Sequence, residues 1–283
     1  MTSAGQPKAD WQFVETGEDA GVSWSYDAGN IMFNSFEEMA GGVASGDYDN
    51  DGDVDLYVVT GDSSPNRLLR NNGEGQFIDV GGPAGVGLEG HRSTGPAFAD
   101  IDGDGWLDLV VGGIRGSGFR LFRNLKDGTF ADDTVHSGIV AQEEEQNDYS
   151  SAFGDPDGDG DLDVFISHWG AMGDINHFWL NDGSGKFVPA DYLIAYSPKK
   201  ELDYSFTPTF SDINRDGRQD VLLVADFGSS QVLINRPGLV FDDVTPGIID
   251  EESGMGSAVA DFDNDGDMDW FVSVSYTHLT LPT

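Results

Sequence analysis

Short, unbroken runs of branched and aromatic residues recur along this chain. They are Leu56-Tyr57-Val58-Val59, Leu109-Val110-Val111, Val164-Phe165-Ile166, Val221-Leu222-Leu223-Val224 and Trp270-Phe271-Val272. Runs of this length, bounded by Gly and Asp, read as buried strands. A stretch of small residues precedes each run at a fixed distance: 42–46, 95–99, 151–154, 207–211 and 256–260. Further on, Asn71, Asn124, Asn181 and Asn235 are each followed six residues later by a phenylalanine, Phe77, Phe130, Phe187 and Phe241. Gly, Asp and Asn lie between, the composition of a strand, a turn and a return strand.

Each complete unit therefore has four strands: a small-residue strand, a buried one, a third ending near the Asn and a fourth starting at the Phe. Small residues suit an innermost strand crowded around a central channel. Four-stranded units repeating roughly every 50 residues are the pattern of propeller blades. The expectation is an all-β fold, a β-propeller of four-stranded blades, forming one domain over 11–273. Full blades fall at about 41–86, 94–139, 149–196 and 207–249, with a partial blade at 256–273. Ala84-Gly85-Val86 lies seven to nine residues past Phe77, and Ala20-Gly21-Val22 has the same offset from Phe13. Residues 11–22 accordingly read as the outer, closing strand of another blade, preceded by a flexible lead at 1–10.

Between the small strand and the buried strand of every unit lies an acidic loop. Asp47, Asp49, Asp51, Asp53 and Asp55 occupy positions 1, 3, 5, 7 and 9 of the first, with Gly52 at position 6 for a sharp turn. Asp100, Asp102, Asp104, Trp106 and Asp108 fill those positions in the second, and Asp155, Asp157, Asp159, Asp161 and Asp163 in the third. Asp212, Asn214, Asp216, Arg218 and Asp220 form the fourth; Asp261, Asp263, Asp265, Asp267 and Asp269 form the fifth. Ca²⁺ takes six to eight oxygens, and a tight loop can aim alternate carboxylates and one main-chain carbonyl, here from position 7, at a single point. Without a cation, carboxylates this close repel one another. The expectation is about one Ca²⁺ per loop, five in all, the fourth being weakest because Asn214 is neutral and Arg218 adds positive charge. An EF-hand would need a bidentate Glu at position 12 and an exiting helix. Position 12 is instead Val58, Val111, Ile166, Leu223 or Val272, inside a strand, so that reading fails.

Composition narrows the partners. The chain has 283 residues, 38% of them hydrophobic, enough to bury a sizeable core. Its 51 acidic and 14 basic residues leave a formal charge of −37. Even five divalent cations would leave it strongly acidic, which excludes nucleic acid and anionic membrane surfaces as partners. There is no cysteine, so no disulfide marks the compartment, and no stretch approaches a membrane span.

The combination of DYDNDGDVDLYV, LLRNNGEGQFIDV and AGV resembles the FG-GAP (VCBS-type) repeats of integrin-α-like propellers, and within them the secreted ASPIC/UnbV-type branch. The resemblance covers about residues 11–273. It implies calcium in the acidic loops, an extracellular, periplasmic or cell-surface location, and seven blades closed by pairing an N-terminal strand with the last blade. Too few repeats are present for seven, so the propeller is expected to be incomplete. The branch's cysteine-bearing C-terminal region is also missing. Repeat periodicity stops near Ser273, and 274–283 reads as a non-native, adaptor-like tail.

Other candidate chemistry is sparse. His168-Trp169 and His177-Phe178-Trp179 could form an aromatic rim binding sugar or carrying catalysis, but Trp and Phe there more simply supply core between blades, with the histidines at a rim. No nucleophile elbow, phosphate loop or Cys nucleophile is present. The first expectation for function is a non-enzymatic, calcium-stiffened propeller presenting loops to a protein or glycan. The alternative is a secreted polysaccharide-active enzyme of lyase type. That would need a Brønsted base beside a charge-neutralising cation or Arg, and no convergent basic cluster supplies one.

Overall fold

The computed structural model describes residues 14–24, 41–61, 64–139, 147–170, 177–194, 203–246, 248–249 and 253–274. Four antiparallel sheets of four strands follow one another along the chain, each in sequence order. The first holds β1 (Val43–Gly46), β2 (Asp55–Val58), β3 (Arg67–Asn71) and β4 (Phe77–Asp79). The second holds β5 (Ser93–Ala99), β6 (Asp108–Gly113), β7 (Arg120–Asn124) and β8 (Phe130–Asp132). The third comprises β9 (Asp148–Gly154), β10 (Asp163–His168), β11 (Phe178–Asn181) and β12 (Phe187–Pro189). The fourth comprises β13 (Ser205–Ser211), β14 (Asp220–Ala225), β15 (Gln231–Arg236) and β16 (Val240–Asp243). A fifth sheet has two strands, β17 (Gly254–Ala260) and β18 (Asp269–Val274). The first strands β1, β5, β9, β13 and β17 lie beside one another in turn, which is the arrangement of an incomplete β-propeller. Their small residues allow that approach: a Cβ on Gly154 would come within 2.6 Å of the Phe210 ring.

The core lies between blades, which explains why the second strands are apolar without alternation. Leu109 and Val111 of β6 pack towards the first blade, with Tyr57, Val59 and Leu68. Val110, between them, packs towards the third blade with Val164, Ile166 and Trp179. Phe165 and Phe178 meet Val221, Leu223 and Leu233 across the next junction. Both faces of a central strand are thus buried, and each fully buried large side chain contributes about 1.5–3 kcal/mol. Tyr57, Val110, Phe165 and Leu222 hold equivalent positions and are each 0% exposed. Phe271 holds that position in the fifth blade and is 59% exposed, because no described blade packs over that face.

The segment after each outer strand locks onto the next blade. The Phe130 N–H donates to the Ala84 carbonyl at 2.9 Å. Gly85 has φ 84°, and a Cβ there would stand 3.3 Å from the Phe130 carbonyl oxygen. Gly138 stands in the same way against Phe187, and Gly21 against Phe77. Residues 14–22 therefore dock on the first blade as the end of a preceding repeat. Their form differs from the expected strand: Gly17–Ala20 is a single helical turn, α1, ended by Gly21 at φ 79°. The reason is that the outer strands are short. In the second blade β8 spans three residues, and the same offset carries another helical turn, α2 (Thr134–Ser137). Trp11 to Phe13 lie outside the described residues, as do the lead at 1–10 and most of the expected tail. Val274, assigned to that tail, pairs with Gly254 and belongs to β18.

Candidate metal centres

All five acidic loops sit at one end of the blades. The register shows why: position 9 opens the second strand opposite the last residue of the first, as in Gly46 with Asp55 and Gly154 with Asp163. Each loop is held by the same hydrogen bonds. The position-1 carboxylates of Asp47, Asp100, Asp155, Asp212 and Asp261 accept the N–H of position 5 at 2.9–3.1 Å. They also accept the N–H of the position-6 glycine at 2.8–3.1 Å. Those glycines have φ between 84° and 97°, a region costly for any residue with a Cβ. Position 5 in turn accepts the N–H of position 7, from Asp53, Trp106, Asp161, Arg218 and Asp267.

This cage gathers carboxylate oxygens. Asp47, Asp49 and Asp55 place ligand atoms within 4.8 Å of one another, as do Asp100, Asp102 and Asp104; Asp155, Asp157 and Asp159; and Asp261, Asp263 and Asp265. Asp49 Oδ1, Asp102 Oδ1 and Asp163 Oδ2 are buried without a hydrogen-bond partner. An all-oxygen donor set with orphaned oxygens suits a hard cation. In the fourth loop the guanidinium of Arg218 pairs with Asp216, and Asn214 supplies no charge. Its position 4 is also strained: Arg215 sits at φ 60°, where the other loops have Asn50, Gly103, Gly158 and Asn264.

The position-9 carboxylates tie each blade together. Asp55, Asp108, Asp163 and Asp220 are 0–3% exposed. Each accepts the main-chain N–H of the repeated Asn on its third strand, at 2.8–2.9 Å. That Asn carries a role sequence reasoning missed. The amide of Asn124 donates to Leu107 O in its own blade and, at 2.8 Å, to Tyr48 O in the preceding loop. Asn181 reaches Leu162 O and Ile101 O in the same way, and Asn235 reaches Gln219 O and Pro156 O. Asn71 donates to Val54 O of its own blade. The position-2 side chains are the second anchor: Tyr48 and Ile101 are 1% exposed within the junction to the next blade.

Burial pushes the position-9 carboxyls up, to about 6 for Asp55 and Asp108 and about 8 for Asp163, against the pull of the N–H donors. A carboxyl with a raised folded-state pKa keeps a proton that the unfolded chain, near 3.9, has released. The contribution of these carboxyls to the metal-free fold is thus full at and below the unfolded value and is lost as pH rises through 6 to 8. In chelator, the urea midpoint should be higher at pH 5 than at pH 8. An equal or lower midpoint at pH 5 would reject this assignment.

The two histidines lie at the opposite end of the third blade, and they are not at an exposed rim: His168 and His177 are 2% and 3% exposed. His168 Nδ1 is 2.9 Å from Asp148 Oδ1, and His177 Nε2 is 2.9 Å from Asp203 Oδ2. The Ile166 carbonyl lies 3.0 Å from His177 Nδ1. A carbonyl only accepts, so Nδ1 donates there. Trp179 packs in the core, and Trp169 Nε1 donates to Asp226 at 2.9 Å. These residues clamp the third and fourth blades together rather than form an open pocket.

Sequential four-stranded blades with an acidic cage at one end of each define a repeat β-propeller whose loops suit hard cations. Comparison with known proteins agrees. The family model for the FG-GAP-like repeat matches residues 47–111, 100–166, 155–223 and 212–272, and the chain belongs to that family. It is 33% identical over 84 residues to cartilage acidic protein 1 of Xenopus tropicalis, covering 30% of this chain and 13% of that protein. To the Homo sapiens protein of the same name it is 38% identical over 55 residues, 19% of this chain and 8% of the relative. Only a small part of the length of these relatives is therefore matched. Among solved structures, a lectin from Agrocybe aegerita, described as recognising non-reducing terminal N-acetylglucosamine, superposes with a TM-score of 0.47 at 20% identity. That match covers 87% of this chain and 62% of the lectin. The V. cholerae biofilm matrix protein Bap1 gives 0.46 at 16% identity, over 89% of this chain and 37% of Bap1.

Proposed function

We propose that the chain is a calcium-binding extracellular β-propeller, secreted, periplasmic or on a cell surface, that acts as a non-catalytic scaffold presenting its loops to a protein or glycan. One observation carries the calcium reading: the same hydrogen-bonded cage recurs five times, and four of its copies gather three carboxylates each. Asp47, Asp49, Asp51 and Asp55 hold one Ca²⁺ with the Asp53 carbonyl, and the other loops use the corresponding positions. The ion neutralises crowded carboxylates and stiffens the blade end. Modules of this kind bind calcium with constants near 10⁻⁴–10⁻³ M, matched to extracellular levels. No helix among the described residues is long and apolar enough to cross a membrane, and the charge of −37 disfavours nucleic acid.

Isothermal titration with Ca²⁺ after chelation should show several sites; a chain that takes up no calcium rejects the reading. Incubation with glycans should give binding on an array without new reducing ends. Chain cleavage in the reducing-end assay would replace the scaffold with the lyase alternative.

A further inference from the structure

We propose that the five loops are not equivalent, and that the third is the chain's tightest cation site because Pro156 leaves a buried carboxylate oxygen without a partner. The inference rests on the calcium reading above and ranks its sites. In four loops, Oδ2 of the position-9 Asp accepts the N–H of position 2: Tyr48 to Asp55, Ile101 to Asp108, Ile213 to Asp220 and Phe262 to Asp269, at 3.0–3.4 Å. In the third loop position 2 is Pro156, which has no N–H. Asp163 is 1% exposed, its Oδ1 accepts the Asn181 N–H at 2.9 Å, and its Oδ2 has no hydrogen-bond partner. A buried carboxyl oxygen left unpaired is costly. A cation bound in the loop supplies the missing partner, whereas at position 9 of the other loops it competes for an oxygen that is already engaged.

The chain's own cations widen the difference. In the second loop Arg123 Nη1 lies 2.8 Å from Asp108 Oδ2 and 3.4 Å from Asp102 Oδ2, and Lys126 Nζ lies 2.8 Å from Asp104 Oδ2. Positions 3, 5 and 9 are thus each paired with a protein cation, two cations serving three carboxylates. Arg218 does the same for Asp216 in the fourth loop. Among the described residues, no Lys or Arg forms an ion pair with the five carboxylates of the third loop. The resulting order places the third loop first and the second and fourth last.

The position-6 glycines report each loop separately, since each amide binds the position-1 ligand. The full chain, labelled with ¹⁵N-glycine and stripped with chelator, is titrated with Ca²⁺ alone. The Gly160 amide should move first and those of Gly105 and Gly217 last, with midpoints at least about tenfold apart. Pro156→Ile, which restores the N–H found at Ile101 and Ile213, should raise the Gly160 midpoint about tenfold and leave Gly52 unchanged. Arg123→Met should lower the Gly105 midpoint. Gly160 moving with or after the others overturns the ranking, and the wild-type order alone decides this if a variant folds poorly. A Pro156→Ile chain with an unchanged Gly160 midpoint also overturns it. If no glycine amide responds at all, the calcium reading itself has failed and the ranking falls with it.

Discussion

A calcium chelator is expected to destabilise this fold strongly rather than merely strip ions from it. At ~2 mM calcium and a dissociation constant of ~10⁻⁴ M, mass action stabilises the folded state by roughly 1.8 kcal/mol per site. The first, third and fifth loops, where no Lys or Arg among the described residues pairs with the carboxylates of positions 1, 3, 5 and 9 (Arg215 pairs only with Asp267 at position 7 of the fifth), would together contribute about 5 kcal/mol. A whole domain has only ~5–15 kcal/mol of net stability. Removal also restores repulsion among carboxylates whose ligand atoms lie within 4.8 Å of one another. The melting temperature should therefore drop sharply in chelator and recover on adding calcium. A melting curve that does not move in chelator would show that Arg123, Lys126, Arg218 and solvent already balance the loops.

Replacing Asn181 by Ala should cost about 3–5 kcal/mol, as much as emptying a large core position. Its amide donates to Leu162 O and to Ile101 O, and its Oδ1 accepts the N–H groups of Gly183 and Gly185. Truncation leaves main-chain groups unpaired at a site that is 6% exposed, and it releases the second loop from the third blade. Asn71 is the internal control. It makes the bond within its own blade, to Val54 O, and, among the described residues, none to another blade's loop. Asn71→Ala should cost about 1 kcal/mol. Urea denaturation of both variants in calcium measures the difference. Equal costs would show that the bond across blades adds nothing.

Much of this architecture was legible before any coordinates, for a physical reason. A blade is local: its four strands are consecutive, and a cation loop must place its ligands within nine residues, so composition and spacing express both directly. The strands predicted around the acidic loops, the glycine at position 6 and the Asn-to-Phe hairpin all appear where the sequence puts them. The stretch before Val22 reads as a strand yet holds a helical turn, because its offset from Phe13 says that a repeat ends there but not how the chain turns into the next blade.

What linear reading could not reach lies between blades. Tyr48 O and the Asn124 amide are 76 residues apart, and nothing local to either names the other. Arg123 and Lys126 look like ordinary hairpin residues until β7 is packed beside its own loop. His177 pairs with Asp203 only because the fourth blade closes on the third, while His168 meets Asp148 across two strands of its own blade. Pro156 is plain in the sequence, yet its consequence needs the N–H that its counterparts donate. Local spacing specified the acidic positions, whereas the stacking of strands and blades decided which carboxylates are buried, which are paired with protein cations, and which oxygen is left without a partner.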